Sequence, residues 1–399
     1  MSLETGITQA WQRQAWWLWL LWPLSGLFAL ISRLRQLSYQ RGWRQQYRAP
    51  VPVLVIGNIT VGGSGKTPLI MALVTHLHSR GLKVGVISRG YGGDEAAMPL
   101  LVTPQSLPSQ VGDEPCLIVA QTQVPMAVCP NRQQAIETLL TAHPDIQLII
   151  ADDGLQHYAL ARDIEWIVVD ASRGFGNQQL LPTGFLREPI SRLKDATVIW
   201  HQTPDTVASK DKPVATQHKR QNLPTYAQVD SHLANALTMQ LQPSALTPLL
   251  PAEDYLPLLK QQDREGMLDS AGIQDVTSAK PDKATVHAIS GIGYPQRFFT
   301  TLRNLGLTVI EHPYPDHHAF TWTDLSRYSE YPIVMTSKDA IKFRVLAEQQ
   351  LQQMLAEPLQ QQALSALLAR LWVLPVEAQL STACYETLQR QLKAVGLPL

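Results

Sequence analysis

Net charge is missing from this chain: 33 Lys and Arg stand against 33 Asp and Glu over 399 residues. General nucleic-acid binding needs a dominant basic field, so the balance points away from DNA and RNA as partners. Cysteine is scarce as well. The three present, Cys116, Cys129 and Cys384, form no CxxC pair, which excludes a disulfide framework and a cysteine-based zinc site and fits a reducing compartment for most of the chain. No fixed-period repeat is visible, and no segment marks a protein partner. With 45% apolar and 17% charged residues the chain folds rather than staying disordered, and it is long enough for two cores.

One stretch lacks charge altogether. Residues 15–31 read AWWLWLLWPLSGLFALI, which as a helix reaches about 25 Å, slightly short of a hydrocarbon core. Trp16, Trp17, Trp19 and Trp22 crowd its start, where indoles favour the headgroup boundary, and Arg33, Arg35, Arg41, Arg44 and Arg48 follow it. That asymmetry predicts a membrane-associated segment with the catalytic body in the cytoplasm. A cleaved signal peptide needs a basic start and a small-residue cleavage site, and neither is clear. Spanning the bilayer and lying in its interface both stay open, since Pro23 and Gly26 could break the run.

Beyond the basic segment, short apolar runs alternate with helical patterns. Residues 51–56, 84–88, 117–120, 125–128, 148–151, 165–170 and 198–200 have strand character, and 68–80 and 131–142 helical spacing. Such alternation predicts a parallel sheet covered by helices. Between about 240 and 282, Pro, Gln, Ser and Ala dominate and no long apolar run occurs. The pattern then resumes with strands at 286–290, 308–311, 333–336 and 372–375 and helices at 297–305 and 350–371. The expected organisation is a membrane-associated helix and basic segment over 1–49, a P-loop domain over 50–235, a linker or insert over 236–285 and a smaller α/β domain over 286–399. The predicted fold class is α/β, a P-loop NTPase-like parallel sheet with a second, smaller α/β domain and an N-terminal membrane helix.

The strongest local signal is Thr60, Val61, Gly62, Gly63, Ser64, Gly65, Lys66 and Thr67. A loop so rich in glycine can turn its amides inward around phosphate oxygens, and the helix behind it adds its positive end. Lys66 would reach the β- and γ-phosphates of ATP and the Thr67 hydroxyl would ligate Mg²⁺. Thr60 occupies the position where the strict GxxxxGK[ST] motif has its first glycine. Asp152 and Asp153 end the apolar run at 148–151, on the sheet edge where P-loop proteins hold their metal. A GTPase is disfavoured, because Thr336-Ser-Lys-Asp339 places Lys and Asp side by side where [NT]KxD separates them. Asp113, in a Gly-Asp-Glu-Pro loop suited to projecting a side chain, could accept the proton of an acceptor hydroxyl, a poor nucleophile at neutral pH. A helix start or surface loop is the plain alternative for that segment. An imidazolium beside it could orient it, with His317 or its neighbour His318 in that part. Arg89, Arg132 and Arg187 read equally as phosphate ligands or as solvated surface charges and structural ion pairs.

Taken together, VIGNITVGGSGKTP, VISRGYGG, VGDEP, DDGLQHY, LREP, the Asp316-His317 pair and TSKDAIKF resemble the lipid A 4′-kinase (tetraacyldisaccharide 4′-kinase) family. The likeness covers the chain except about 240–282 and parts of its C-terminal end. It implies transfer of the γ-phosphate of MgATP to the 4′-hydroxyl of a tetraacylated glucosamine disaccharide 1-phosphate, forming lipid IVA. It also implies work at the cytoplasmic face of the inner membrane, through two α/β domains that close over the nucleotide. Residue by residue, it implies that Lys66 and Thr67 bind phosphate, Asp152 and Asp153 bind the metal, and Asp113 is the catalytic carboxylate with His317 as its partner. Glu114, Gln156 and His157 fall in motifs tied to the same site, and Arg89, Tyr91, Arg132 and Arg187 match positions near nucleotide or lipid phosphate. A membrane-tethered NTPase switch is the rival reading, since it needs the same loop and no acceptor hydroxyl. A scaffold with a vestigial loop would not need Lys66, Thr67 and both acids.

Overall fold

A computed structural model describes residues 7, 10, 11, 13, 15–202, 237–251, 253, 284–328, 330–353 and 358–398. Residues 236, 252 and 254–283, most of the expected insert, lie outside the described residues, as do 203–235 of the expected P-loop domain and 354–357 within the expected 350–371 helix.

Strands β1 (Val53–Gly57), β2 (Val84–Ser88) and β5 (Leu148–Asp152) are buried along their whole length, as expected for apolar runs sandwiched between helical layers. They sit inside a nine-stranded sheet that also contains β3 (Leu100–Val102), β4 (Met126–Val128), β6 (Ile164–Asp170), β7 (Thr197–Gln202), β8 (Leu237–Pro243) and β14 (Val376–Leu380). Its order is β14-β8-β7-β6-β1-β5-β2-β4-β3. All pairings are parallel except those of the edge strands β3 and β14. The chain builds to one side of β1 through β2–β5 and to the other through β6–β8, so a crevice opens at the C-terminal end of β1, where open α/β sheets take their ligands. A five-stranded sheet, β11-β10-β12-β13-β9, forms the smaller lobe. Its strands are β9 (Thr247–Pro248), β10 (Thr285–Ser290), β11 (Thr308–Pro313), β12 (Ile333–Thr336) and β13 (Leu371–Leu374).

Eight helices position the site: α1 (Trp22–Gln40), α2 (Lys66–Ser79), α3 (Asp113–Thr122), α4 (Arg132–Ala142), α5 (Pro295–Asn304), α6 (Ser337–Gln353), α7 (Pro358–Leu368) and α8 (Thr382–Ala394). Three expectations need correction. Residues 117–120, expected as a strand, belong to α3. A short apolar run does not distinguish a buried strand from a buried helix, and Asp113 and Glu114 favour a helix start. The Asp113 segment is therefore the first turn of that helix and no free loop. The expected 350–371 helix is two helices, the second opened by Pro358, which cannot continue a helix interior.

The domain boundaries also differ from sheet membership. Residues 237–243, expected in a linker, form β8 of the larger sheet; their half-polar LTMQLQP sequence suits a strand near an edge and hides it from a search for apolar runs. The chain crosses to the smaller lobe over 244–246, and returns at Pro375, where β13 gives way to β14 beside β8. At these crossings the Ser244 amide donates to the Pro375 carbonyl (2.9 Å). Helix α8 lies within the expected C-terminal domain, yet Cys384, Leu388 and Leu392 pack into the core of the larger lobe.

The N-terminal segment is a 3-10 turn (Trp16–Leu21) leading into α1, with Pro23 in the first turn, where a missing N–H costs nothing. Pro23 thus starts the helix rather than breaking it. Trp16–Gln40 is long and apolar enough to cross a membrane, and Trp16, Trp22, Leu24, Leu27 and Ile31 are exposed. One buried polar point fastens it. Ser25 Oγ donates to the Leu180 carbonyl (3.0 Å), lies 2.8 Å from Thr183 Oγ1 and accepts from the Thr183 amide (3.0 Å).

At the end of β1, a Cβ on Gly57 would lie 2.6 Å from Leu155 Cβ. Gly57→Ala is expected to cost about 1–3 kcal/mol of stability by overpacking, read as a lower urea midpoint at unchanged slope for the detergent-solubilised chain.

Candidate active site

The loop after β1 turns twice through conformations that L side chains avoid, at Gly62 (φ 94°) and Gly65 (φ 95°), and delivers the chain into α2. Thr60 is buried in an antiparallel bridge with Leu186. The first turn is held by Asn58, whose amide donates to the Gly62 carbonyl (3.2 Å). A side-chain clamp thus replaces the first glycine of the strict motif. Lys66 Nζ, at the start of α2, lies 2.9 Å from Asn58 Oδ1 and 3.0 Å from Asp153 Oδ1. From outside, Arg173 donates to the Val61 carbonyl (3.1 Å) and the Arg187 amide to the Ile59 carbonyl (2.7 Å). Among the described residues Ser64 Oγ is buried without a hydrogen-bond partner.

Behind the loop, β5 ends at Asp152. Its Oδ2 accepts from Ser88 Oγ (3.1 Å) at the end of β2, while Oδ1 is buried and has no partner among the described residues. Burial, helped by the charge of Glu114, raises its pKa against the opposing charge of Lys66. Asp153 goes the other way. Burial would raise it, but Lys66 and Arg187 (3.1 Å) hold it below the usual carboxylate range. The adjacent acids therefore differ in proton affinity.

A second constellation spans the lobes. Asp113, the first residue of α3, is 3% exposed. Its Oδ2 meets His317 Nδ1 (3.1 Å) and Lys342 Nζ (3.1 Å), with Lys338 Nζ at 3.9 Å. Burial would raise its pKa; the hydrogen bond from His317 and the charges of Lys338, His317 and Lys342 overcome that and lower it. Tyr91 packs edge-on against His317, with centroids 4.8 Å apart. The lobes also meet at the loop itself: a Cβ on Gly293 would lie 3.0 Å from Asp316 Oδ2 and 3.7 Å from the Gly63 amide nitrogen. Beneath the loop, His201 Nδ1 lies 3.0 Å from the Ser64 carbonyl, and Arg297 of α5 reaches Asp170 and His201.

Of the residues singled out from sequence, Lys66, Asp152, Asp153 and Arg187 cluster on the larger lobe. Asp113, Glu114, His317 and Tyr91 gather across the cleft, with Glu114 bound to Lys338 (3.2 Å). Gln156 donates to the Asn58 carbonyl (3.2 Å) and to Glu188 (2.8 Å), bracing the loop from behind. His157 has its pKa pushed down to about 4, by burial first and then by Arg132, Arg162 and Arg35, so it is neutral near pH 7. Arg89 lies exposed beside Glu95. Arg132 is buried and donates to the Cys129 carbonyl (2.8 Å) and, at 3.4 Å, to that of Asp152, so its contacts are to backbone carbonyls behind the strand-end acids, neither an ion pair nor a solvated surface position. Sequence reasoning missed the parts played by Asn58, Lys338 and Lys342, although all three stand in motifs already quoted. Arg173, His201 and Arg297 carry no local signal, because only folding brings them to the loop.

A glycine-rich loop with its lysine, strand-end acids and a carboxylate at a lobe interface define a P-loop phosphotransferase. A family model described as tetraacyldisaccharide-1-P 4′-kinase matches residues 17–393, and the chain belongs to that family: it is an ATP-dependent kinase of the lipid A precursor. The tetraacyldisaccharide 4′-kinase of Psychrobacter arcticus is 56% identical over 407 residues, covering 100% of this chain and 97% of its own. That of Ectopseudomonas mendocina is 41% identical over 347 residues, covering 87% and 90%. Among solved structures, Aquifex aeolicus LpxK in complex with ATP shares the fold, with a TM-score of 0.60, 23% identity, and 94% of this chain and 98% of that one covered.

Replacing Arg132 by Met should act on stability. Each stranded buried carbonyl costs about 1–3 kcal/mol, so the urea midpoint falls, and wild-type stability in the variant would return Arg132 to the ligand candidates.

Proposed function

We propose that Asp113 accepts the proton of the 4′-hydroxyl while Lys66 and the loop amides hold the γ-phosphate of ATP, at the cytoplasmic face of the inner membrane. The observation that carries this reading is the buried Asp113 carboxylate at the start of α3, facing His317 from the other lobe at 3.1 Å. The Asp113–His317 pair crosses the cleft, so the proton acceptor is complete only with both lobes together. Asp113 is ionised at neutral pH, so it can accept a hydrogen bond from the hydroxyl and then its proton as the oxygen bonds phosphorus.

Thr67, Asp152 and Asp153 would hold Mg²⁺. The orphaned Asp152 Oδ1 suits a hard cation, and the donor set of two carboxylates and a hydroxyl is all oxygen. These three residues would fill only part of the ion's shell and leave the rest to water and phosphate oxygens. When bound, such an ion neutralises charge building between the β- and γ-phosphates. The chain's own residues do the rest. Lys66, released from Asp153, bonds phosphate; Ser64 Oγ gains the acceptor it lacks; Arg187 keeps Asp153 ionised beside the lysine. Helix α1, with its exposed tryptophans and the arginines that follow, seats the cleft at the lipid surface, which confines the search for substrate to that surface.

Lys66→Ala should cut turnover by roughly 100- to 1,000-fold, the scale for one lost transition-state charge contact. Asp113→Ala should lower kcat by roughly 100- to 10,000-fold with little change in the KM for ATP. Both are measured with labelled ATP and the disaccharide 1-phosphate in mixed micelles. ATP hydrolysis without label on the lipid would favour the switch reading, and a KM-only effect in Asp113→Ala would remove that residue as the base.

A further inference from the structure

Two lobes share the Asp113 carboxylate, one oxygen each. Oδ1 accepts from the Glu114 amide of its own helix (3.0 Å). Oδ2 is met only from the smaller lobe among the described residues, by His317 and Lys342 at 3.1 Å each and by Lys338 at 3.9 Å. The two lysines, four residues apart on α6, share one face, but they are not equivalent. Lys338 Nζ also lies 3.2 Å from Glu114, 3.5 Å from Asp316 and 3.3 Å from His317 Nε2, so its charge is spread over several partners. Lys342 has one carboxylate within ion-pair distance, Asp113. Its ammonium is aimed there by the His318 carbonyl (3.2 Å) and by the Phe320 ring, whose centroid lies 5.8 Å away. An ionised carboxylate offers about four lone-pair directions. Glu114, His317 and Lys342 take three, which leaves one on Oδ1 for a hydroxyl.

We propose that Lys342 is a positioning residue for the phosphoryl transfer: from the smaller lobe it turns the Asp113 carboxylate so that the free Oδ1 direction faces the acceptor hydroxyl, and the base is assembled only when the lobes meet. This rests on the reading of Asp113 as the proton acceptor. In the step itself the hydroxyl oxygen bonds the γ-phosphorus, the bond from phosphorus to the ADP oxygen breaks, and the hydroxyl proton passes to Asp113. Lys342 touches none of these atoms. The groups facing Asp113 are Glu114 and Cys116 of its own helix, Lys338 and Lys342 of α6, Asp316 and His317 of the loop after β11, and Tyr91, which reaches it only through His317. Cys116 stays a neutral thiol, its pKa pushed up to about 12 by burial and by Asp113. Removing Lys342 therefore strips a contacting positive charge from Asp113, and the carboxylate holds its proton to higher pH.

The test is the turnover of the full-length enzyme in mixed micelles for Lys342→Met, Lys342→Arg and Asp113→Asn, with ATP and lipid KM measured separately. For Lys342→Met, kcat should fall by about tenfold or more while the KM for ATP stays within about twofold. Lys342→Arg should restore kcat. Unchanged kcat in Lys342→Met overturns the inference, as does a fall in kcat that Lys342→Arg leaves unrestored or that comes with an equal rise in the KM for ATP, because a lysine that only ties the lobes together would disturb nucleotide binding along with turnover. Near-normal turnover of Asp113→Asn removes the base and the inference with it; an inactive Asp113→Asn beside a fully active Lys342→Met removes the inference alone. Should Lys342→Met fail to bind ATP by calorimetry, Lys342→Gln carries the same expectations and the same refutation.

Discussion

Opposite charges meet across the cleft between the lobes, and the site depends on that division. Asp113, Glu114 and Asp170 belong to the larger lobe; His317, Lys338, Lys342 and Arg297 come from the smaller one. Neither set is comfortable alone, since a buried charge without a partner is costly. Pairs of this kind add little to net stability against apolar packing, yet breaking one leaves the other stranded. What the arrangement gives is a match of position: each set finds its counter-charges on the other lobe.

Within the larger lobe the two strand-end acids divide their tasks by environment. Asp153 leans on Lys66 and Arg187, which keep it ionised. Among the described residues the Asp152 carboxylate has only a serine hydroxyl as partner and one unsatisfied oxygen, and burial disfavours its charge. Two identical side chains in sequence thus become one anchored, ionised acid and one with raised proton affinity. The network that fixes the loop is wider than the motif. Asn58 and Gln156 brace it from behind, and Arg173 and His201 hold its outer backbone.

Much of this was legible in the chain. The strands at 84–88 and 333–336 stand where their apolar runs put them, since strands buried on both faces announce themselves by continuous hydrophobicity. Lys66, Asp152 and Asp153 were readable because the motif and the strand end are local features. The misplaced elements share a cause. The CLIVA run at 116–120 fits strand or helix alike, and only its packing between α2 and α6 decides. Strand β8 is half polar because it lies near a sheet edge, and β14 and α8 rejoin a lobe whose preceding strand, β8, ends more than a hundred residues earlier. Arg297 and Lys342 act at contacts formed by distant segments, which no window of sequence contains. His317 was within reach because its aromatic-flanked motif resembles a family pattern; its hydrogen bond to a residue 204 positions away was not.

The paired passages between the lobes carry a mechanical consequence. Residues 244–246 lead out and Pro375 leads back, side by side, with the Ser244 amide bonded to the Pro375 carbonyl and Ser244 Oγ to Glu377 (3.2 Å). The two crossings thus form one hydrogen-bonded joint beside β8 and β14 rather than two separate tethers. Among the described residues it is through this joint that the backbone carrying His317 and Lys342 is tied to the backbone carrying Asp113.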